Sequence, residues 1–389
     1  MERTKNCLKK LERMSRALRH EEADRVPISD FFWGGFVERW RKELRLPEDT
    51  DIYKHYDLDW IVTIPNLDPH VKSFEILKES DEEVVVKTGF EAVIRKKFAF
   101  PMPEYVSWDT DTIDKLESFE FGDPYDRQRY LAAGDNQIAG VGDSFEQNSP
   151  AWIETVKKLR TDFPVFGSVT ECSECLTRLI GQGNTLLWIG MYPDRMGKAI
   201  NRIGEFYLGC ARAQIEAADG LLDGMVIWGD VAYTKAMFFS PAYWREYFKP
   251  WVKAMVDVCH GHRLPVIYHG CGNVGDILED FIETGVDALN PLEAKAGLDV
   301  VDLRRRLGHR LGFCGNMDVI TWANATREGL KKVVLTKLNA AKGGGYIFGS
   351  DHSVPGDISG HSYDYVVRLV REYGKYPLQL GQYNIPDLG

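Results

Sequence analysis

The sequence predicts an α/β chain closed into a (β/α)8 TIM barrel, and three observations carry that reading. Short apolar runs of strand length recur along the chain, amphipathic helical stretches separate most of the later ones, and no dinucleotide glycine fingerprint follows the first strand. Strands alternating with helices make a parallel sheet covered on both faces. The expected strands are DWIVTIP (59–65), PVFGSV (164–169), DGMVIWGD (223–230), LPVIYHG (264–270), GVDALNP (285–291), RLGFCGN (310–316) and GGYIFGSD (344–351).

Before them lies an opening helix with Leu8, Leu11, Ala17 and Leu18 at helical spacing, ending near EEADRVPI, where Pro27 turns the chain extended. Residues 73 to 99 have the composition of strands with tight turns, and residues 101 to 150, rich in Asp, Pro and Gly, read as loops with short helices. The chain is longer than the roughly 250 residues of a typical barrel. The expectation is therefore one domain over 1–389 with an insertion at about 70–150. Ser240-Pro241 sets an N-cap and a proline at the first helical position of AYWREYFKPWVKAMVDVCHG, which Pro250 should kink or split. The final helix, YDYVVRLVREYG, closes with Gly374 in the C′ role.

Bulk properties exclude several classes. Of 389 residues, 44% are hydrophobic and 27% charged, enough for one large core or two smaller ones, and too well mixed for long disorder. A net charge of -10 without a basic run argues against nucleic acid as a partner. The charged, amphipathic start excludes a secretory signal, and no apolar run is long enough to cross a bilayer. A soluble, cytoplasmic chain is expected. Seven scattered cysteines have no disulfide-like spacing.

Barrel chemistry sits where strands end. Those ends read Glu171, Asp230, His269 with Cys271, Glu293, Asn316 with Asp318, and Asp351 with His352. Alternate residues of a strand share a face, so VIYHGCGNV aims an imidazole and a thiol at one point between two glycines. Two such ligands suit zinc, although a core histidine beside a buried cysteine has the same pattern. His352 from the last strand would make a third ligand and leave a fourth position open, as in catalytic zinc sites. Asp230 and Asp351 are candidates for orienting a ligand or for occupying the fourth position at rest; each also fits an ordinary loop cap. Cys172-Ser-Glu-Cys175 lies on the helix after a strand and reads better as packing than as a redox pair. Trp33, Trp188 and Trp228 are candidates for lining a pocket for a flat substrate.

The run from SPAYWREYFKPW to LGFCGNMD, followed by GGGYIFGSDHSVPGDIS, resembles the uroporphyrinogen decarboxylase superfamily, as does the RMSRALRHEEADRVPI opening. Within it the chain is more similar to the zinc-dependent, corrinoid-linked methyltransferases than to the porphyrin decarboxylases. The decarboxylases carry an RQAGR-type arginine loop where this chain has ISDFFWGGFVERW, and they lack the His-x-Cys. The methyltransferase relatives follow His-x-Cys with a distant Cys, and His352 stands at that place here. The resemblance thus implies His269, Cys271 and His352 as zinc ligands, with catalytic or substrate roles for Asp230 and Glu171. A neutral imidazole in place of a thiolate leaves zinc more electropositive and better suited to polarising an ether oxygen. The implied activity is transfer of a methyl group from a small methoxylated donor, aromatic or otherwise, to a corrinoid. No DxHxxG cobalamin motif is present, so the corrinoid would arrive on a separate protein. Alternatives kept open are methyl transfer to a thiol, a metal-independent decarboxylase using Asp59 or Asp230, and a non-catalytic binding module. A homodimer is allowed for.

Overall fold

The computed structural model describes residues 2–71, 75–100, 102–131, 151–386 and 388. Among the described residues, eleven strands fall into two sheets. The first holds β1 (Ile61–Val62), β6 (Val165–Thr170), β7 (Gly224–Trp228), β8 (Val266–His269), β9 (Ala288–Asn290), β10 (Gly312–Met317) and β11 (Tyr346–Ser350), in chain order and all parallel. The second holds β2 (Glu75–Glu79), β3 (Glu83–Lys87), β4 (Ala92–Lys97) and β5 (Glu104–Trp108) as an antiparallel meander, where the insertion was expected. The remainder of that insertion at 132–150 lies outside the described residues.

Each predicted strand of the parallel sheet is found, trimmed at its ends. The sheet is curled and TIM-barrel-like, but among the described residues it counts seven strands rather than eight. Between its outer members runs an irregular extended segment. Phe348 N donates to Pro27 O (2.9 Å), Ser29 N to Phe348 O (3.0 Å) and Asp59 N to Ile28 O (2.9 Å). Asp59 holds this segment from the side: it accepts from Ile28 N (2.7 Å) and pairs with Arg25 (2.7 Å) and Arg13.

The interior follows from strand alternation. Phe166, Val226, Ile267, Ala288, Cys314 and Ile347, one from each of six neighbouring strands, pack together with Trp60. Met14, Ala17 and Leu18 from the opening helix (Lys5–Leu18) join the same cluster. That helix buries Ala17 and Leu18 but not the rest of the stripe expected of it. Cys7, Lys10, Arg13, Met14, Ala17 and Leu18 face inward, while Leu8 is 52% exposed. The reason is that Lys10 and Arg13 enter with their charges paired, to Asp57 at 2.6 Å and to Asp24 at 2.6 Å, and so occupy the inner face.

The helix after Ser240 divides into Pro241–Tyr247 and Lys249–Gly261, as Pro250 requires, and Ser240 Oγ accepts from Tyr243 N (3.1 Å). Gly374 behaves differently from expectation: its φ is -85°, and it is the C-cap of helix Gly360–Tyr373. Close approach explains the glycine. A Cβ there would sit 2.4 Å from Val370 O, and Gly374 O accepts from Val26 N (2.8 Å).

Candidate metal centre

The C-terminal ends of β7, β8, β9 and β11 bring five metal-ligand side chains together. Ligand atoms of Asp230, His269 and Cys271 all lie within 4.8 Å of one another, and so do those of Cys271, Glu293 and His352. Cys271 Sγ belongs to both groups and stands 3.7 Å from His269 Nε2. The three residues expected as ligands are thus gathered around one sulfur, although 80 residues separate Cys271 from His352 in the chain.

Local backbone explains the convergence. His269 is the last residue of β8, pairing with Trp228 of β7 and Asn290 of β9. The chain then turns through Gly270 and Gly272. A Cβ on Gly270 would lie 2.9 Å from Gly229 O, and Gly272 has φ +81° against Ala232. The glycines therefore admit backbone rather than ligand. Asp230 Oδ1 accepts from Cys271 N (2.7 Å), which pins the turn to the end of β7.

Burial dominates the electrostatics. Burial lowers the His269 imidazole to about 4 and pushes the Cys271 thiol well up. Asp230 and Glu174 are both raised, first by burial and then by neighbouring acids, which for Glu174 means Asp230. Glu171 is raised to about 7 by burial. Neutral imidazole, a soft sulfur and crowded carboxylates form a donor set that a divalent cation would satisfy, since its charge would bring the thiol and carboxyl values down and keep the imidazole neutral. The residues fit zinc.

Other strand-end residues divide into two kinds. Glu171 is fully buried; its Oε2 accepts from Ser173 N (2.8 Å) and Ser173 Oγ (2.5 Å), capping helix Cys172–Ile180, and Oε1 has no partner. It is in neither ligand group. Asp351 stitches loops, accepting from Val319 N (3.0 Å) and Ala294 N (3.1 Å). Asp318 caps helix Val319–Asn324, and Asn316 bonds Val300 N (2.9 Å) and Leu292 O (2.6 Å). Cys172 and Cys175 are buried on their helix. Glu293 was visible as a strand end but not singled out; its signal was the sheet order that puts β9 next to β8.

Aromatic rings wall the cluster. The Trp228 ring lies 4.6 Å from that of His269, and Trp33 stacks on His352 at 6.2 Å and 29°. Phe31 stands 5.7 Å from Trp228 and 6.2 Å from His269. Trp188 packs instead in the main core. Beside these walls, a narrow cavity of about 10 Å³ is bordered by Asp30, Phe31, Trp60, His269, Cys314 and His352.

A curled parallel sheet with its polar cluster at the C-terminal strand ends defines an enzyme site of the barrel type. The chain belongs to the uroporphyrinogen decarboxylase (URO-D) family, whose model matches residues 137–373. Among relatives, uroporphyrinogen decarboxylase of Actinobacillus pleuropneumoniae is 28% identical over 186 residues, 47% of this chain and 50% of that protein. The Thermus thermophilus uroporphyrinogen decarboxylase is 25% identical over 241 residues, 58% and 65% of the two chains. The match thus spans about half to two-thirds of these curated relatives. A solved methyltransferase from Methanosarcina mazei shares the fold over 94% of this chain and 98% of its own, with a TM-score of 0.59 and 18% identity. No helix among the described residues is long and apolar enough to cross a membrane.

Proposed function

We propose that the protein is a zinc-dependent methyltransferase that moves a methyl group from a small methoxylated, ring-bearing compound to a corrinoid carried by a separate protein. The observation that carries this reading is that two ligand groups share Cys271, one bringing His269 and Asp230 to it and the other His352 and Glu293. Zinc held there would supply Lewis acidity toward an ether oxygen. The chain's own residues do the rest. His269, Cys271 and His352 would hold the ion, with Asp230 and Glu293 within reach as further ligands. Trp33 and Trp228, each against one of the imidazoles, flank the donor's ring and set its methyl carbon facing outward. Cleavage of the carbon–oxygen bond would leave both electrons on oxygen, and the reduced corrinoid of the partner would supply the nucleophile for the methyl carbon.

Docking of that partner fits the rim of the cluster, where Tyr233, three residues after Asp230, is 50% exposed and Ile320, just beyond β10, is 61% exposed. The seven cysteines are all free, which suits a reducing cytoplasm.

The relatives' names favour a second reading, decarboxylation of a carboxylic acid. Two observations count against it. Asp59, one of the two acids it would use, is fully buried and committed to Arg13, Arg25 and Ile28 N, and Asp230, the other, accepts from Cys271 N in the ligand cluster. Arg39, the arginine in ISDFFWGGFVERW, is bonded to Glu43 (2.7 Å) and to the carbonyls of Gly356 and Asp357 (2.8 and 2.9 Å). Neither arrangement leaves a group for a polycarboxylate. The test is anaerobic purification with metal analysis, then incubation with cob(I)alamin and a panel of methoxyaromatics. Zinc near one per chain, lost in Cys271→Ala, and methylcobalamin formation are expected. Absence of bound metal, or carbon dioxide release without any corrinoid, refutes the proposal.

A further inference from the structure

We infer that Asn290, held in place by the Cys314 thiol, is a positioning residue that selects the metal-binding tautomer of His269. The inference rests on the reading of His269 as a zinc ligand. Three neighbouring strands present these residues in one row. His269 of β8 pairs in register with Asn290 of β9, and Cys314 of β10 follows the Phe313–Leu289 pair by one position. Because residues in register point to the same face, the three side chains meet inside the curl of the sheet. His269 Nδ1 lies 2.6 Å from Asn290 Oδ1, and Asn290 Nδ2 donates to Cys314 Sγ at 3.3 Å. Asn290 and Cys314 are both buried, at 8% and 1% exposure, so water is not the competing partner.

The protons follow from this geometry. A carboxamide oxygen only accepts, so the ring must carry its proton on Nδ1. A neutral imidazole then has its lone pair on Nε2, the nitrogen 3.7 Å from Cys271 Sγ. Turning the carboxamide over would point an N–H at Nδ1 and move the ring proton to Nε2, where it would occupy the ligand position. A separation of 2.6 Å suits a strong N–H···O bond and is too short for N–H···N. Cys314 reinforces the choice, because a thiol is a poor donor and the row offers its sulfur as the acceptor for the NH2 group. That gives a role to a cysteine that the ligand set leaves out.

The experiment uses the full-length protein and zinc alone. Affinity is measured by competition with a chromophoric chelator. The tautomer is read from 15N-histidine NMR of metal-free protein, with the His269 signals assigned by their loss in His269→Gln. Asn290→Leu should weaken zinc binding about 10- to 100-fold and release the Nδ1–H tautomer. Asn290→Asp, which keeps the acceptor, should stay within a few-fold of wild type and so separates positioning from misfolding. Cys314→Ala should give a smaller loss and a mixture of tautomers. If zinc binding is abolished by Cys271→Ala but neither affinity nor tautomer changes in Asn290→Leu, the relay is wrong. If wild type binds no zinc while His269 still carries its proton on Nδ1, the metal reading falls and the hydrogen-bond assignment stands.

Discussion

Replacing Glu171 by Gln should make the metal-free protein more stable at alkaline pH, and the size of the gain can be worked out. Glu171 is wholly buried with one oxygen unpartnered, and burial raises its pKa from 4.5 to about 7. Below pH 4.5 the carboxyl is protonated in both the folded and the unfolded chain and has no effect on the pH dependence. Between 4.5 and about 7 the unfolded chain releases this proton and the folded chain keeps it, so stability falls as pH rises. At about 1.36 kcal/mol per unit, the full loss is about 3 kcal/mol and is complete above pH 7. With an unfolding entropy of about 2.1 cal/mol/K per residue over 389 residues, this amounts to about 4 °C in Tm. Gln keeps the acceptor for Ser173 N and cannot ionise. Scanning calorimetry in chelator at pH 5 and pH 8 should therefore show the wild type losing about 3 °C more than Glu171→Gln, part of the full loss having occurred by pH 5. Superimposable pH profiles, or a variant that is the less stable one at pH 8, would refute the assignment of Glu171 as a buried acid without compensation.

Other perturbations address the frame and the walls. Asp59→Ala strands the Arg13 and Arg25 guanidiniums beneath the extended segment and should cost about 3–5 kcal/mol, a drop of several degrees in a thermal melt. Gly349→Ala would place a Cβ 2.3 Å from Ser29 O, so urea titration should show a loss of about 1–3 kcal/mol as segment 27–29 is pushed off β11. Trp33→Ala should raise KM for a methoxyaromatic donor about 2- to 10-fold with zinc content unchanged, because the ring stacks on His352 rather than holding the ion.

The strands were legible because a sheet buried on both faces needs apolar runs, and helices between parallel strands need an amphipathic face. The meeting of His269 and Cys271 followed from the two-residue period even though Cys271 lies just past the end of β8. His352 could be named because distant strand ends share one mouth. The carboxylates were harder. Five of the seven parallel strands are followed closely by an acid, and the loop around it decides its use. Glu171 folds back onto Ser173, Asp351 ties two loops, and Asp230 and Glu293 reach the sulfur. No periodicity encodes that choice. The extended segment 27–29 escaped notice as part of the sheet because its fit depends on Asp59 and Phe348, far along the chain.

That segment has a consequence for synthesis on the ribosome. Asp30 accepts from Ser350 N at 2.6 Å across a separation of 320 residues, and the helix before it caps an interior whose last wall is β11. At about 5–20 residues per second, the amphipathic opening helix must wait roughly 15–60 s for its seat to be made. Throughout that interval its apolar face is a natural client for a chaperone.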